Sequence, residues 1–475
     1  MLDFAIFAGV LMLFLICLVV YLYPGRPKRP STVPGLDPSD VKTGNLSDIG
    51  DAGGMHLFLK ELHEDYGPIA SFWWGEQFVV STAHPDMFRP QMGLFDRPAE
   101  LFKLFEPLIG PHSIQYANGS DGRALRHQLD KPFSHEACQS YVSTLTEITT
   151  TMAAKLEKMT GDHHVPLRQY MMALAFRAIL LVSFGDYFLN DEACLEFVKN
   201  YEYCWGEMEQ RLVDPNIATD EVRLKQFEKA KANLRSQVRQ VLERRKGDTA
   251  SPKFNDCHRF VDELIDLATS EEQEFSLAIT YIIGGFHTTG NLMSWMVYFL
   301  VTHPDCYERL QKEFESVLED RTIAAEDIKE LTYCRQIIDE SLRLSVLAPY
   351  AARCSSADLK IGGHVIPKET PIIQALGVAL TDPALWPEPT KFDPDRFDAE
   401  KLKHVDSLAY PFFGFAGKRK CPGYRLAYVE AMVFLSVLIR KFRIKLADPS
   451  QVVTPIFGLV THPDDEIWIK LESVE

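Results

Sequence analysis

Apolar residues recur along this chain with two periods, one near 3.6 residues and one near two. The first period predicts a helix over Met55–Tyr66, and the alternating segments Ile69–Trp74 and Gln77–Ser81 predict a hairpin that turns at residues 75 and 76. The pattern is mainly helical over 98–267, and short apolar runs return after residue 357 and near the C-terminus. We therefore expect a mainly α fold with small β-sheets (α+β), in which a large helical body carries sheets near both ends.

A long uncharged segment near the middle of the chain predicts the central helix. Ser270 and Gln273 form a capping box, and Phe275–Thr302 contains neither proline nor a formally charged residue. A run of roughly 32 residues would be about 48 Å long. A second membrane-spanning helix is the alternative, but the polar group at 287–291 is costly in lipid and favours a buried helix that lines a polar cavity.

The N-terminal apolar run predicts a membrane anchor. Phe4–Tyr23 is uncharged and close to the roughly 20 residues that span a bilayer. Asp3 precedes it and Arg26, Lys28 and Arg29 follow, so the positive-inside rule predicts a cytosolic body. A cleaved signal peptide is the alternative, although the run is long for one and no small-residue cleavage site follows.

Five prolines follow the apolar run and predict a stiff, non-helical stalk that holds the body away from the anchor. The rest of the chain has no internal repeat, low-complexity tract or long charge block. We therefore expect an anchor at 1–24, a stalk at 25–38 and one catalytic domain at 39–475.

Composition and charge limit the class of protein. With 475 residues and 46% hydrophobic content the chain can bury a large core. The net charge of −16 argues against nucleic acid as a partner, because tracking phosphates needs a wide basic face. Nine cysteines without a C-x-x-C pair fit a reducing compartment better than a disulfide framework.

One cysteine lies in a basic, glycine-containing loop. Pro422 suits the first position of a helix, which would leave Cys421 at a helix N-terminus, and Lys418–Lys420 are cationic. These features predict a stabilised thiolate, which is a nucleophile or a metal ligand. A buried cysteine beside a basic turn is the alternative interpretation.

Two further segments carry charged residues in suggestive positions. A helix is predicted from about Glu326 to Leu344, and Glu340 and Arg343 share one of its faces at i, i+3. Arg396 lies in a later loop rich in proline and aromatic residues. Taken alone, Glu340 and Arg343 are an ordinary surface pair.

Taken in order, these motifs resemble the cytochrome P450 superfamily over essentially the whole chain, and the microsomal type in particular. The carrying motifs are Gly417-x-Arg419-x-Cys421-x-Gly423, Glu340-x-x-Arg343 and Gly284–Thr289 of the central helix. The opening residues and the Gly-Phe-x-Gly form of the cysteine loop look like the orphan family-20 branch, subfamily A. The resemblance implies the cytochrome P450 fold and haem b, iron protoporphyrin IX, with Cys421 as the axial iron ligand.

The resemblance also implies roles for other residues. Arg126, Arg353 and Arg419 would meet the haem propionates, and Gly417, Gly423, Phe413 and Phe415 would shape the haem pocket. Thr288, with Thr289 beside it, would handle bound oxygen. Arg396 would join Glu340 and Arg343 in a buried cluster that pins the cysteine loop, because an unpaired buried carboxylate is costly.

Three positions depart from the family pattern. His287 stands where an acid usually precedes the threonine, and we hypothesise that its imidazole relays protons; capping of a backbone carbonyl is the alternative. Gly414 stands where a phenylalanine usually shields the thiolate, so Phe413 or Phe415 must supply the ring. Gly122 stands where a tryptophan usually contacts a propionate, which predicts one missing haem contact.

The resemblance implies a membrane-anchored monooxygenase in the endoplasmic reticulum. It would insert one atom of O2 into a small lipophilic substrate, using NADPH-derived electrons from a reductase, with cytochrome b5 as a further candidate donor. Lys418, Lys420 and Arg425 predict a basic docking face for an acidic reductase. The alternatives are a haem-thiolate isomerase or dehydratase that needs no external electrons, and a non-catalytic haem sensor or carrier.

Overall fold

The structure is a computed structural model, and it describes residues 9–15, 28–161, 163–185, 191–213, 217, 219–247, 259–415 and 417–474. Within these residues the predicted mainly α architecture with small sheets is confirmed. Most of the N-terminal anchor predicted for residues 1–24 lies outside the described residues. The described part, residues 9–15, is a helix (α1) whose apolar side chains are exposed.

The remaining α-helices follow in chain order. They are α2 (Leu46–Asp51), α3 (Met55–Tyr66), α4 (Pro85–Phe88), α5 (Ala99–Phe102), α6 (Glu106–Ile109), α7 (Gly119–Leu129), α8 (His135–Ser140), α9 (Val142–Glu157), α10 (Leu167–Phe184), α11 (Asp191–Val213), α12 (Glu221–Gly247), α13 (Phe260–Leu267), α14 (Glu271–Thr302), α15 (Pro304–Leu318), α16 (Thr332–Leu344), α17 (Leu376–Thr381), α18 (Ala399–Leu402) and α19 (Tyr424–Lys441). Helix α14 packs most extensively on α10, and with α19 these helices form the main apolar core.

The strands form four small sheets among the described residues. Their bounds are β1 (Ile69–Trp74), β2 (Gln77–Thr82), β3 (Val165–Pro166), β4 (Ala351–Arg353), β5 (Leu359–Ile361), β6 (His364–Ile366), β7 (Ile372–Gln374), β8 (Phe442–Leu446), β9 (Pro455–Phe457), β10 (Thr461–Pro463) and β11 (Trp468–Ser473). The sheet orders are β1-β2-β7-β4, β3-β11-β8, β5-β6 and β9-β10.

The predicted hairpin is confirmed with its register. Strands β1 and β2 are antiparallel, Trp74 pairs with Gln77, and Gly75 takes the left-handed conformation that the tight turn needs (φ 60°). Strand β2 then pairs in parallel with β7, which carries β4 on its other edge. This sheet therefore ties the N-terminal hairpin to the segment that presents Arg353.

The central helix has the predicted bounds. Ser270 caps α14 by accepting a hydrogen bond from the amide of Gln273 (3.2 Å), while the Gln273 side chain accepts from the amide of Thr269 (2.8 Å). Nearly all of its middle is buried in protein. Over the described residues one helix, α10, is long and apolar enough to cross a membrane, and two thirds of it (67%) is buried within the fold.

The predicted stalk is packed on the body over much of its length. Val33 is buried (1% exposed), and the amide of Leu36 donates to the carbonyl of Ser71 in β1 (2.9 Å). The Arg29 guanidinium donates to the carbonyl of Gly35 (2.6 Å) and pairs with Asp37 (2.9 Å). The folded body therefore begins about ten residues before the predicted boundary at residue 39.

One helix begins later than its pattern predicts. We expected a helix from about residue 326, but Leu331 breaks the helical path (ψ 65°) and α16 begins at Thr332. The Glu313 carboxylate of α15 accepts hydrogen bonds from the amides of Tyr333 (2.6 Å) and Cys334 (2.7 Å). This side chain from another helix satisfies amide groups that a local cap would otherwise serve.

Candidate functional site

One cavity brings together most of the predicted site residues. It lies between the middle of α14, the start of α19 and the loop that carries Cys421. The predicted site residues that line it are Arg126, Thr288, Thr289, Arg353, Phe413, Arg419, Cys421 and Gly423. Arg97, Tyr281, Tyr350 and Glu430, which the sequence did not single out, line it too.

Cys421 presents its thiol to this cavity rather than to the outer surface. Its side chain is exposed, but the surface that it exposes is part of the cavity wall. Burial by the surrounding protein raises the pKa of the thiol, against a backbone hydrogen bond at Gly423 and the charge of Arg126, which lower it. Burial and the nearby positive charge act on this thiol in opposite directions, and the predicted thiolate stays a prediction.

The helix after the cysteine also starts differently from the prediction. Helix α19 begins at Tyr424, so Pro422 precedes it in a turn instead of occupying its first position. The amide of Cys421 donates to the carbonyl of Phe413 (2.9 Å), which closes the loop across its base. A metal ion that binds Cys421 would deprotonate the thiol outright.

Four arginines, which we call the arginine cage, converge on the cavity: Arg97, Arg126, Arg353 and Arg419. The Nε atoms of three of them, all but Arg126, are buried and lack a hydrogen-bond partner. Such unpaired donors are rare in folded proteins and call for a ligand.

The pKa values of the cage show how poorly its charges are compensated. Burial, and then repulsion from Arg126 and Arg353, lowers the pKa of Arg419 to about 9. Burial, and then repulsion from Arg126, lowers the pKa of Arg353 to about 10. The pKa of Arg97 is lowered for the same reasons. Burial lowers the pKa of Arg126 too, but its ion pair with Asp130 (2.8 Å) outweighs this effect and raises it overall.

Backbone carbonyls hold three of the cage side chains in place, and Arg353 donates to that of Ala352 (2.7 Å). Arg419 donates to the carbonyls of Ile114 (2.7 Å) and Ala117 (2.8 Å), and Arg126 donates to the carbonyl of Lys420 (2.7 Å). These bonds do not use the Nε groups of Arg97, Arg353 and Arg419, which stay unpaired in residues that line the cavity. A ligand with two carboxylates and a thiolate-binding metal therefore fits the cage and Cys421 together, which matches the propionates and iron of haem b.

The glycine departures have local causes. A Cβ at Gly122 would lie 2.2 Å from the carbonyl oxygen of Ala117, so no side chain fits there, and the cage instead includes Arg97, which the sequence analysis missed. The Asn118 side chain fixes the backbone of Arg97: its Oδ1 accepts from the Arg97 amide (3.0 Å), and its Nδ2 donates to the Arg97 carbonyl (2.8 Å). That pairing joins loop residues 21 positions apart and leaves no periodic signal in the sequence.

The two candidate shielding rings go to different places. Phe413 lines the cavity and packs its ring on Tyr428 (5.4 Å between centroids). Phe415 stacks on Phe88 (4.8 Å) in a separate apolar cluster and does not line the cavity. Gly414 lies between them at φ 76°, a left-handed conformation that turns the chain so that the two rings point apart. The predicted pocket role of Phe415 is therefore wrong.

Gly417 supports the loop from outside the cavity. It takes φ 37°, and a Cβ there would lie 3.0 Å from the carbonyl oxygen of Met92. Its predicted part in the pocket is therefore limited to a close backbone contact that shapes the loop.

Helix α14 opens a polar face to the cavity. Gly284 has no neighbour within 4 Å of an added Cβ, whereas a Cβ at Gly285 would lie 2.2 Å from Ile179 of α10. One glycine therefore leaves cavity space and the other allows close helix packing. The Thr288 hydroxyl donates to the carbonyl of Gly284 (3.1 Å), which leaves its oxygen lone pairs free to accept a hydrogen bond from the cavity.

His287 points away from this face. Its ring is buried (3% exposed) and packs edge-on against Tyr201 (5.4 Å) and Trp205 (4.9 Å), outside the cavity lining. Burial lowers the pKa of His287 to about 3, and its Nδ1 has no hydrogen-bond partner. The proton-relay hypothesis for His287 is therefore wrong in this structure, and so is the carbonyl-capping alternative for Nδ1.

The charged cluster behind the loop is largely buried: Glu340 and Arg343 are fully enclosed, whereas the Arg396 side chain is 11% exposed and its Nε makes no hydrogen bond. Arg343 donates to both carboxylate oxygens of Glu340 (2.7 and 2.8 Å), and neither residue is exposed. Arg396 lies 3.4 Å from Glu340, whose Oε1 also accepts from the amide of Asp393 (2.9 Å). Three further carbonyls accept from Arg343, those of Leu380, Pro389 and Lys391. The structure brings the three predicted residues together and ties them to the segment 380–393; the ring of Phe397, next to Arg396, contacts that of Phe412 at the start of the cysteine loop (5.7 Å between centroids).

Comparison with known proteins gives one consistent result. The family model described as Cytochrome P450 matches residues 34–469. The chain is 34% identical to Cytochrome P450 20A1 of Bos taurus and 33% identical to that of Homo sapiens, over 100% of each chain. It is 25% identical to Cyclooctat-9-en-7-ol 5-monooxygenase of Streptomyces melanosporofaciens, over 89% of this chain and 91% of that one.

Proposed function

Because this chain belongs to the cytochrome P450 family, a family of haem-thiolate monooxygenases that take electrons from a reductase, we propose that Cys421 is its axial haem ligand. Arg97, Arg126, Arg353 and Arg419 hold the haem propionates in this proposal. When bound, haem b supplies the iron centre that activates dioxygen for insertion into a lipophilic substrate. One observation carries the assignment: the Cys421 thiol and four guanidiniums, three with an unpaired buried Nε, face one cavity.

The chain's own residues have separable tasks in this proposal. The arginine cage orients the cofactor by charge-assisted hydrogen bonds, which form only with an anionic partner. Thr288, with Thr289 beside it, offers hydroxyl oxygens on the cavity wall where oxygen would be handled. Glu340, Arg343 and Arg396 hold the loop in position and take no part in the chemistry.

The substrate-contacting walls are apolar. Ile114, Leu347, Ala348 and Ala351 line the cavity together with Tyr350. Apolar walls favour a lipophilic substrate that is bound mainly by burial of its surface.

A basic surface beside the cysteine loop is the proposed reductase-docking face. Lys420, Arg425 and Arg335 are exposed there, and Lys420 and Arg425 both lie over the ring of Tyr424 (4.1 and 4.5 Å). Burial and then the charges of Arg425 and Arg335 lower the pKa of Lys420. Like charges this close favour an acidic partner, which is the chemistry of a flavoprotein reductase or of cytochrome b5.

The membrane assignment is also a proposal. We infer a single-pass anchor at residues 1–24 and a cytosolic catalytic domain at the endoplasmic reticulum, since the uncharged run is long enough to span a bilayer and cationic residues follow it. The exposed apolar side chains of α1, from Val10 to Leu15, are consistent with insertion into lipid.

The decisive test is a reduced carbon monoxide difference spectrum of the full chain reconstituted with haem. The wild type should give the Soret band typical of thiolate ligation, and Cys421→Ser should lose it. Cys306→Ser is the matched control, because Cys306 is a half-buried cysteine outside the cavity, and it should retain the band. A wild-type protein without this band would overturn the assignment of Cys421.

A second measurement separates the alternative haem functions. NADPH consumption with reductase, stimulated by compounds from a lipid library that shift the haem spin state, is expected of a monooxygenase. An isomerase or dehydratase would convert a compound without NADPH, and a sensor or carrier would bind one without turnover.

A further inference from the structure

A buried tyrosine behind the cavity wall donates its hydroxyl to a carboxylate. Tyr428 of α19 is buried (8% exposed), and its hydroxyl donates to Oδ1 of Asp339 in α16. The other carboxylate oxygen of Asp339 accepts from Arg335 (3.1 Å), whose guanidinium also lies over the Tyr428 ring (3.4 Å from Cζ to the centroid). A cation over the ring disfavours a positively charged phenol, so an electron leaves Tyr428 most easily together with the phenolic proton.

Asp339 is placed to take that proton. The hydrogen bond from the Tyr428 hydroxyl already points at it, so the proton has only to move along an existing bond. Burial raises the pKa of Asp339, against the charge of Arg335 and the Tyr428 hydrogen bond, which lower it. The carboxylate is therefore a stronger base than that of an ordinary aspartate.

Aromatic rings connect Tyr428 to the cavity on one side and to the surface on the other. Phe413 lines the cavity with Cys421, and its ring contacts those of Tyr428 (5.4 Å between centroids) and Tyr424 (6.1 Å). Tyr424 and Tyr428 are four residues apart on α19 and therefore lie on the same helix face. Tyr424 is half-buried and borders the basic surface beside the cysteine loop. These rings provide a continuous route for an electron from the surface to the cavity.

Two cations lie over the outer ring of this route. Lys420 Nζ is 4.1 Å and Arg425 Cζ is 4.5 Å from the centroid of Tyr424, and both side chains belong to exposed residues. Their charges would raise the local concentration of a small anion beside Tyr424. A reductant that meets this tyrosine would therefore be anionic, as ascorbate is.

A second tyrosine beside the cavity also donates to a carboxylate, but it is less suited to oxidation. The Tyr281 hydroxyl lies 3.3 Å from Asp130, whose two oxygens are already engaged by Arg126 (2.9 Å each). The ring of Tyr281 packs on Phe133 (5.8 Å) and Phe260 (4.3 Å), neither of which is readily oxidised. The contacts therefore favour Tyr428 over Tyr281.

We propose that Tyr428 and Tyr424 give this protein a second activity, the peroxide-dependent oxidation of a small anionic reductant such as ascorbate. This inference rests on the haem binding proposed above, because a peroxide must first oxidise the bound haem. In the step, Tyr428 gives one electron to that centre through Phe413, its O–H bond breaks, and the proton passes to Asp339.

The surface tyrosine and the reductant then restore Tyr428. Tyr424 supplies an electron to the Tyr428 radical, Asp339 returns the proton, and the Tyr424 proton passes to water. Ascorbate gives Tyr424 back one electron and one proton. In the net reaction one hydrogen peroxide takes two electrons and two protons to become two waters, and two ascorbate ions each supply one electron and one proton.

The test mixes the full-length, haem-loaded protein with hydrogen peroxide, without reductase or substrate. Freeze-quench electron paramagnetic resonance should show a tyrosyl radical, and a nitroso spin trap should mark Tyr424, as mapped by mass spectrometry. Tyr428→Phe should lose both signals, and Asp339→Asn, which keeps the phenol but removes its proton acceptor, should lower the radical yield. Tyr307→Phe is the control: this buried tyrosine donates to the Phe442 carbonyl (2.8 Å) outside the cavity lining, and its loss should change neither signal.

Decay of the radical tests the surface end of the route. Ascorbate should quench the wild-type radical, and quenching should slow as the salt concentration rises, because salt screens the attraction of an anion to the exposed cations. In Tyr424→Phe the radical should still form, but ascorbate should quench it more slowly. Quenching as fast as in the wild type would overturn the role of Tyr424.

A radical that persists unchanged in Tyr428→Phe, or that is lost in Tyr281→Phe instead, would overturn the proposal. If Tyr428→Phe does not fold, Asp339→Asn decides, since an unchanged radical yield in that variant contradicts proton transfer to Asp339. Each variant is first checked for the thiolate Soret band. A wild type without the band refutes the proposed function, whereas an intact band without a radical refutes only the second activity.

Discussion

Two clusters of buried charge support the cysteine loop, and they differ in how completely they are paired. In the triad of Glu340, Arg343 and Arg396, the carboxylate accepts from Arg343 and from the Asp393 amide, and surrounding carbonyls take further guanidinium N–H groups. In the arginine cage, three of four side chains keep an unpaired buried Nε, and burial with mutual repulsion lowers their pKa values.

This difference distinguishes a structural cluster from a binding site. Partners that the chain itself supplies make the triad part of the fold, because its charges are satisfied before any ligand arrives. Apart from the Arg126–Asp130 ion pair, the cage keeps unpaired N–H groups. In the proposed function an external anion satisfies them, so the cage would destabilise the haem-free protein and strengthen cofactor binding.

The largest expected effect follows from breaking the triad. Glu340→Gln leaves two buried guanidiniums without a countercharge, and we expect the free energy of unfolding to fall by about 3–5 kcal/mol, with loss of haem incorporation. Urea unfolding monitored by circular dichroism measures this change. Arg89→Ala, which breaks an exposed pair with Asp406, should cost less than about 1 kcal/mol; equal losses in the two variants would contradict a structural role for the triad.

Removing a cage arginine should weaken haem binding without lowering the stability of the haem-free protein. Arg97→Leu removes a desolvated cation, so the haem-free protein should be at least as stable as the wild type. Haem affinity should fall about ten-fold to a hundred-fold, since a charge-assisted hydrogen bond contributes about 1.5–3 kcal/mol. Haem transfer to excess apomyoglobin measures this change. Arg123→Leu, an exposed arginine over the ring of Phe95, is the control and should keep wild-type affinity.

His287 differs from both charge clusters, because it is buried with an unpaired Nδ1 but does not line the cavity. Its pKa is lowered to about 3, while those of buried His56 and His63 are lowered to about 4, all from 6.5. Unfolded histidines bind protons as the pH falls below 6.5 while the folded ones do not, so stability is lost below that pH. Each histidine contributes a slope of about 1.4 kcal/mol per pH unit.

His287→Asn should therefore reduce the acid-side slope of stability between about pH 6 and pH 4 by up to about 1.4 kcal/mol per pH unit, because the contribution of this histidine disappears. Chemical unfolding at several pH values measures this slope. A slope equal to that of the wild type would show that His287 is protonated in the folded protein, which would reopen a role in proton transfer.

The smallest expected effect concerns the backbone of the loop. Gly414→Ala places a Cβ in open space but at φ 76°, so conformational strain alone should lower the stability by about 1 kcal/mol. Gly423→Ala has φ −78° and equally open space, and it should be neutral or slightly stabilising. The thermal midpoints of the two variants test this, and equal midpoints would show that the left-handed turn is not needed.

Local patterns predicted much of this molecule. The bounds of α14, the β1–β2 register and the spacing around Cys421 and Glu340 depend on neighbours within a few residues, so the sequence carries them directly. The helix start at Thr332 was misjudged because its amide groups are capped by Glu313 from another helix.

Contacts between distant segments could not be predicted in the same way. Arg97 reaches the cage only because its loop is tied to Asn118, and Glu430 looks like one polar residue on an apolar helix until the cavity beside it is seen. His287 and Thr288 are adjacent in sequence, yet the rotation of α14 directs one to an aromatic cluster and the other to the cavity. The pattern of a single helix does not fix that rotation, which depends on the packing of α10 and α11.

Residues 29–37 pack against β1, and with the proposed membrane anchor this packing would restrict how the enzyme can be oriented in the cell. If the anchor ends near residue 24, residues 25–28 separate it from Arg29, which donates to the Ser71 hydroxyl of β1 (3.4 Å). The Cα atoms of residues 24 and 29 can then be at most about 18 Å apart, even in an extended chain. A linker this short would prevent the catalytic domain from rotating freely relative to the membrane. The same face would then always rest on the bilayer, and a lipid-soluble compound would be met by two-dimensional diffusion within the membrane.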